Sequence, residues 1–184
     1  MCLVLSVVYY QASHQIPLIC EVTNLPDSNE KARTIIDKLA TNEESIANLY
    51  RGYADAFPIL REFWSSLASE EVGHASHIRS LGRQIGTPSL FMDENRFTAA
   101  AIQTFAGYLD RELSRLNKEE IPVIEALSIT LYIEESLIEG RFFELFRVDS
   151  AELQYTLAKL RDETLAHRNR AKETLEKYRH TQPR

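Results

Sequence analysis

Cysteine is scarce in this chain of 184 residues. Cys2 and Cys20 are the only two cysteines, and they form no CxxC pair. A zinc or iron site built from four cysteines is therefore excluded, because such sites need paired, closely spaced thiolates. Two cysteines are also too few for the disulfide framework of a small secreted domain.

Clusters of basic residues and long apolar runs are also absent. The chain has 27 acidic and 21 basic residues, a formal net charge of −6, and its bases are dispersed, so it lacks the basic patch that binds nucleic acid. The first ten residues are apolar, but no Lys or Arg precedes them and they are too short to span a bilayer. We therefore expect a cytoplasmic protein without a membrane or nucleic-acid partner.

Glycine and proline are few, with six of each in the chain. From Ser28 onward, apolar residues recur every three or four positions, which is typical of amphipathic helices rather than strands. Residues 1–27 differ, since two β-branched runs, 3–10 and 16–22, flank a polar segment there. We interpret residues 1–27 as an appendage of unknown role and residues 28–184 as one all-α domain.

Five helical segments follow from this periodicity. The first ends before Pro58, because a proline disfavours helical geometry in the residue before it, and Pro58 suits the first turn of the second. Asp149 and Glu152 can form a capping box at the start of the last. The predicted helices cover residues 29–57, 58 to 82–86, 97–116, 123–146 and 149–178. This order predicts a four-helix bundle in which residues 97–116 form a long helical crossover between the second and third bundle helices.

The third bundle helix, residues 123–146, is apolar nearly all round. Such a helix lies deepest in its own bundle or faces a second subunit. We therefore expect a homodimer or a larger assembly.

An internal echo indicates a duplicated helix pair. The sequence Glu43-Glu44-Ser45-Ile46 in the first helix matches Glu134-Glu135-Ser136-Leu137 in the third bundle helix. Each match is followed, in the next bundle helix, by an acidic pair and a histidine. The two landmarks together support a repeated unit more strongly than the four-residue match does alone.

In the second helix, Glu71 and His74 lie close to the apolar stripe through Leu60, Leu67 and Ile78, whereas Glu70 falls to its side. Spacing of three residues places a carboxylate and an imidazole one turn apart on the same face. Both can then reach one metal ion, and ligation is one remedy for the cost of burying the carboxylate. A hydrogen-bonded core histidine is the alternative interpretation of His74 alone.

In the first helix, the apolar stripe passes close to Glu43 and leaves Glu44 well away from it. Glu43 is therefore the predicted ligand. Alternatively, the helix is kinked, with Thr41 capping a second segment and Glu44 completing the box, which would leave Glu43 at the surface.

The third and fourth bundle helices supply the other half of the predicted site. Glu135 shares a face with Leu131 and Ile138 and is preferred, narrowly, over Glu134. In the fourth helix, His167 lies on the apolar stripe and Glu163 lies at its edge one turn earlier. Asp162 points away.

The candidate metal ligands are thus Glu43, Glu71, His74, Glu135, Glu163 and His167. Four inward carboxylates would repel one another in a bundle core unless cations or protons compensate them. Six ligands in two matching halves suit two ions. Tyr50 and Tyr132 are candidates for hydrogen bonds to these ligands, although inward tyrosines can equally be core residues.

This pattern resembles the rubrerythrin branch of the ferritin-like superfamily. The resemblance covers about residues 29–178 and includes Glu43 seven residues before Tyr50 and the segment LASEEVGHASHI around Glu71 and His74. It implies a ferritin-like fold and two irons, bridged by Glu71 and Glu163. Glu43 and Glu135 would be terminal ligands, with His74 and His167 completing the shells.

Three departures from the rubrerythrin pattern are present. Ile138 stands where rubrerythrins commonly have a further carboxylate, three residues after the third-helix ligand, and Glu139 is one residue too far around the helix to replace it. Ala166 stands where they often have another acid, three residues after the fourth-helix ligand. A rubredoxin domain is missing. These departures put a peroxide-driven shift of iron between ligands, and a built-in electron relay, in doubt.

The resemblance implies a di-iron oxidoreductase that oxidises Fe(II) with dioxygen or reduces hydrogen peroxide, with an external electron donor. Two other functions remain open. One is a metal-binding or iron-storage bundle without turnover, in which manganese or zinc can replace iron. The other is a purely structural bundle whose acids pair with bases such as Arg141 and Arg170.

Overall fold

The computed structural model describes residues 28–87, 90–92, 99–139 and 146–181. Within these residues the protein is all-α, as predicted, with five α-helices and one pair of three-residue strands. The helices are α1 (Ser28–Ala56), α2 (Arg61–Gly82), α3 (Ala99–Leu116), α4 (Val123–Glu139) and α5 (Ala151–Thr181). The strands are β1 (Leu90–Met92) and β2 (Phe146–Val148). The predicted appendage, residues 1–27, lies outside the described residues.

Two predicted helix starts differ in detail from the structure. A 3-10 turn, Pro58–Leu60, separates α1 from α2, so Pro58 precedes α2 rather than occupying its first turn. At the start of α5, the Oγ of Ser150 accepts a hydrogen bond from the backbone N–H of Leu153 at 3.3 Å. Ser150 therefore caps this helix in place of the predicted Asp149, because its hydroxyl is the group that reaches the third helical N–H.

The prediction that the third bundle helix extends to residue 146 was wrong. The helix α4 ends at Glu139, and Phe146 begins β2, which pairs antiparallel with β1 in the register Leu90↔Val148. Gly140 follows the helix directly in the sequence, and glycine is a poor helix former. Phe and Val favour strands, and the paired strand supplies the hydrogen bonds that a helix would have made.

The helices α1 and α2 run antiparallel along each other. Near one end of the pair, a methyl group of Ile36 lies against Gly82, where a Cβ atom would come within 2.9 Å of it. Near the other end, the rings of Tyr53 and Trp64 are 5.4 Å apart. Between these contacts, Arg79 forms a bidentate ion pair with Glu44. The helix α1 is continuous through Thr41 and Glu43 is buried, so the alternative in which Thr41 caps a second helix and Glu43 lies at the surface is wrong.

The helix α3 packs against α1 and runs parallel to it. Lys38 donates to Gln103 near the start of α3, and Gly52 lies against Leu116 at its end. The helix α4 packs against α5 and is joined to α2 by a hydrogen bond of 3.0 Å from Trp64 Nε1 to Thr130 Oγ1. Trp64 is fully buried, as expected for a packing residue.

A polar layer divides the core into two apolar clusters. One cluster contains Ile36, Ile78 and Leu160, and the other contains Tyr53, Trp64 and Leu127. Between them along the helices lie the buried polar residues Asn42, Glu43, Glu71, His74, Glu134, Thr164 and His167. The apolar clusters on both sides hold this layer in place and keep water away from it. No helix among the described residues is long and apolar enough to cross a membrane.

The apolar cluster next to the polar layer predicts a large difference between two isoleucines. Ile78 is fully buried one turn after His74, whereas Ile59 in the 3-10 turn is 77% exposed. We expect Ile78→Ala to lower the free energy of unfolding by about 2–5 kcal/mol because it leaves a cavity. Ile59→Ala should change it by less than about 0.5 kcal/mol. Urea unfolding of both variants tests this, and equal effects would contradict the assigned core.

Candidate metal centre

A carboxylate held between two imidazoles lies at the centre of the polar layer. Glu71 and His74 are one turn apart on α2, and Glu71 Oε2 lies 3.0 Å from His74 Nδ1. The other oxygen, Oε1, lies 2.7 Å from Nδ1 of His167 on α5. The two imidazole rings are nearly parallel, with centroids 5.0 Å apart. Glu71 thus links α2 to α5 through two histidines.

These three side chains lie close enough together to hold a metal ion. Each offers one ligand atom, and the three atoms lie within 4.8 Å of one another. Glu71 and His167 are fully buried and His74 is 3% exposed. Carboxylate oxygen and imidazole nitrogen are ligands for iron, manganese and zinc, so the group could hold a metal ion.

Two more buried carboxyl groups surround this group. Glu43 on α1 is 6% exposed and Glu134 on α4 is fully buried. Glu134 accepts a hydrogen bond of 2.7 Å from the hydroxyl of Tyr50 through Oε1, and its Oε2 lies 3.7 Å from His167 Nδ1. Oε2 of Glu43 and Oε2 of Glu134 are buried without a hydrogen-bond partner. Both oxygens could therefore accept a cation.

The buried groups shift one another's pKa values. Burial would raise the pKa of Glu71, but hydrogen bonds with His167 and His74 hold it well below its usual range. The same contacts raise the pKa of both histidines against the opposing effect of burial. Burial and the charge of Glu71 raise the pKa of Glu134 to about 8 and that of Glu43 well above its usual range. Without metal, the cluster therefore holds protons where an ion could bind.

Charged side chains cover the outer nitrogens of the two histidines. Nε2 of His167 lies 3.0 Å from Oε2 of Glu70, which is paired with Arg170. Nε2 of His74 lies 3.3 Å from Oε2 of Glu163, but without the geometry of a hydrogen bond. The side chain of Glu163 is 37% exposed and also faces Lys159 at 3.7 Å. Glu163 is therefore at the rim of the cluster.

The structure brings together four of the six predicted ligands: Glu43, Glu71, His74 and His167. Glu163 lies beside them at the rim. The expectation that Glu135 faces inward was wrong: its side chain is exposed and Glu134 takes the interior position. The prediction rested on a nearly even choice between two helix faces, in a helix that is apolar nearly all round. The ligand roles of all these residues remain predictions.

The two tyrosines predicted to bond to the ligands lie in different environments. Tyr50 is fully buried and bonded to Glu134, whereas Tyr132 is 54% exposed and packs edge-on against Tyr108, with ring centroids 5.3 Å apart. Tyr50 therefore lies beside the cluster, and Tyr132 lies at the surface.

Sequence reasoning did not select Glu134 or Glu70 as residues of the cluster. Only for Glu134 does the sequence contain a pattern that could have identified it. The internal echo aligns Glu43 with Glu134 as the first acid of each Glu-Glu-Ser motif, and both first acids are buried. The second acids, Glu44 and Glu135, lie outside, so the echo would have selected Glu134. The role of Glu70 depends on contacts with another helix, which helical periodicity does not contain.

Comparison with known proteins adds no relative. No family model, no curated protein and no solved structure matches this chain.

The raised pKa of Glu134 predicts how the metal-free protein responds to pH. A carboxyl group that stays protonated when folded and ionises when unfolded makes folding less favourable as pH rises from about 4.5 to about 8. The raised pKa values of His74 and His167 act in the same direction, because their stabilising charge is lost as pH rises through the folded values. The free energy of unfolding should therefore fall from pH 6 to pH 8.

The test is urea unfolding in the presence of a chelator at several pH values. Glu134→Gln keeps an acceptor for Tyr50 but cannot ionise. The slope of its free energy of unfolding against pH should therefore be shallower than the wild-type slope, by up to about 1.4 kcal/mol per pH unit. Glu135→Gln is the matched control on the exposed neighbour and should have the wild-type slope. Identical slopes for all three proteins would show that Glu134 has an ordinary pKa.

Proposed function

We propose that this protein is a ferritin-like di-iron oxidoreductase of the rubrerythrin type, which oxidises Fe(II) with dioxygen or reduces hydrogen peroxide. The observation that carries the proposal is the buried Glu71, held between His74 and His167, together with two further buried carboxyl groups that each have an unpartnered oxygen. This set has the hard oxygen and imidazole ligands that iron takes in proteins.

The charge of the cluster favours a metal over a purely structural role. Among the described residues, no Lys or Arg forms an ion pair with Glu43, Glu71 or Glu134. Arg170, named from the sequence as a possible counter-ion, pairs with Glu70 at the edge instead. Burying three acids without such partners is costly unless protons or metal ions compensate them.

The arrangement of the helices is consistent with a ferritin-like crossover. Trp64 on α2 contacts Thr130 on α4, and Glu71 further along α2 is close enough to Glu134 further along α4 to raise its pKa. The two helices therefore run in the same direction. Parallel neighbours in a four-helix bundle need a long connection, and the segment between them contains α3.

Each residue has a distinct part in the proposed site. Glu71, whose two oxygens lie beside Nδ1 of His74 and Nδ1 of His167, would hold the ions together with these histidines. Glu43 and Glu134 each offer one free oxygen, and Tyr50 fixes the orientation of Glu134 through its hydroxyl. Glu163, the fourth predicted carboxylate, is next to His74. The bound irons would supply the electrons for reducing dioxygen or peroxide.

The depth of the cluster favours metal binding without turnover as a second candidate function. Glu71, His74 and His167 are at most 3% exposed, and charged side chains cover both outer nitrogens. Closed sites are typical of metals that serve structure or storage, whereas catalytic sites keep an open position.

The proposed di-iron oxidoreductase also includes an assembly of two subunits and an external electron donor.

Metal content and oxidation are separate tests of these two candidates. The purified protein is loaded with Fe(II) without oxygen, its bound iron is counted, and it is then mixed with dioxygen or peroxide while absorbance is followed. We expect about two irons per chain and rapid oxidation of Fe(II). Glu71→Gln keeps the size of the side chain but loses its charge, so it should bind less than half the iron.

Glu135→Gln is the control, because it removes one acid from the exposed face of α4 and should behave as wild type. Wild-type protein that binds no iron, manganese or zinc would rule out both candidates. Iron that binds in the wild type and is oxidised no faster than free Fe(II) would leave storage as the function. Equal iron content in Glu71→Gln and the wild type would remove Glu71 from the site.

A further inference from the structure

Glu70, whose side chain is 38% exposed at the edge of the cluster, accepts hydrogen bonds from Ser66, Arg170 and His167. Its Oε1 accepts hydrogen bonds from Ser66 at 2.8 Å and from Arg170 NH1 at 3.0 Å, and its Oε2 accepts one from Arg170 NH2 at 2.8 Å. The guanidinium group thus binds both oxygens, the geometry in which arginine holds an ionised carboxylate best. The pair also joins α2 to α5.

The position of Glu70 determines which nitrogen of His167 faces the cluster. An ionised carboxylate only accepts hydrogen bonds, so Nε2 of His167, 3.0 Å from Glu70 Oε2, must carry the proton and donate it. Nδ1 lies 2.7 Å from the carboxylate of Glu71 and by the same argument donates to it. A metal ion beside Glu71 would displace the proton on Nδ1, while Glu70 keeps the proton on Nε2, so Nδ1 is the nitrogen that would bind the metal. A carboxylate on the outer nitrogen is the usual way in which proteins orient a metal-binding histidine.

The other histidine has weaker support. Nε2 of His74 lies 3.3 Å from Oε2 of Glu163, and Glu163 faces Lys159 at 3.7 Å instead of a bidentate arginine. The side chains of Glu163 and Glu70 are about equally exposed, at 37% and 38%, so the difference lies in the partners that hold each carboxylate. The two histidines that look equivalent in the sequence are therefore held differently.

We propose that Glu70, clamped by Arg170 and Ser66, is a positioning residue that orients His167 for metal binding. The inference rests on the proposed function in requiring that the cluster binds metal, but it requires no turnover. Glu70 touches no metal itself. It strengthens binding by holding the ring of His167, so that this histidine need not be ordered when the ion enters.

The test uses cobalt(II) as the probe, because its absorption bands report the ligands and the geometry. We expect Glu70→Ala to weaken cobalt binding about 10–100-fold and to shift these bands. Glu70→Gln keeps an oxygen that accepts from His167 and should recover part of the affinity. The matched control is Glu44→Ala, since Glu44 forms a similar bidentate pair with Arg79 between α1 and α2. This control should bind cobalt as the wild type does.

A second substitution tests whether Arg170 acts through Glu70. Arg170→Gln alone should weaken cobalt binding, but adding it to Glu70→Ala should weaken binding no further. Thermal unfolding of the metal-free variants shows whether Glu70→Ala and Glu44→Ala lose comparable stability, so that a difference in cobalt affinity is specific to His167.

Wild-type affinity in Glu70→Ala would overturn the inference and leave the proposed metal site standing. Equal weakening in Glu70→Ala and Glu44→Ala would also overturn it, because the effect would then come from loosened helix packing. If the wild type binds no cobalt, iron or zinc, the proposed function and the inference both fail.

Discussion

The burial of the Glu71 carboxylate between two imidazoles is the constraint on which the rest of the structure depends. A carboxylate with no exposure has to be compensated, and here the partners come from its own helix and from α5. Among the described residues the compensation is incomplete, since Glu43 and Glu134 each keep an unpartnered oxygen nearby. A polar layer of this kind costs stability, and the apolar clusters above and below it offset that cost. An arrangement of this kind could hold a cation at the centre of the bundle.

Local sequence patterns predicted the all-α class and most of the helix bounds. The helix starts and ends follow from apolar periodicity and from prolines, so the bounds of α1, α2 and α3 differ from the predictions by only a few residues. The end of α4 was missed because the phenylalanine and the valine of Phe146–Val148 suit a strand as well as the apolar face of a helix. Pairing with β1, a contact between distant segments, decides between the two.

The candidate site was predictable where one helix face is clearly apolar. On α1, α2 and α5 the polar residues on that face are few, so Glu43, Glu71, His74 and His167 could be chosen from spacing alone. On α4 almost every position is apolar, so no apolar stripe marks the inner face. The angular position around the helix axis therefore does not decide whether Glu134 or Glu135 points inward. The residues outside the cluster, Glu70 and Glu163, take their positions from partners on other helices. Helical periodicity gives only the direction of a side chain from its own helix. The contacts of Glu70 and Glu163 depend on their distance from side chains on other helices.

The central claim is that Glu71, His74 and His167 bind metal between them. Anomalous X-ray diffraction at the iron absorption edge, from crystals of protein loaded with Fe(II) without oxygen, tests it most directly because it locates iron without assuming ligands. The account predicts anomalous peaks within bonding distance of Glu71 and of the Nδ1 atoms of both histidines, with Glu43 and Glu134 at their edges. No peak there, with the three side chains still hydrogen-bonded to one another, would contradict it.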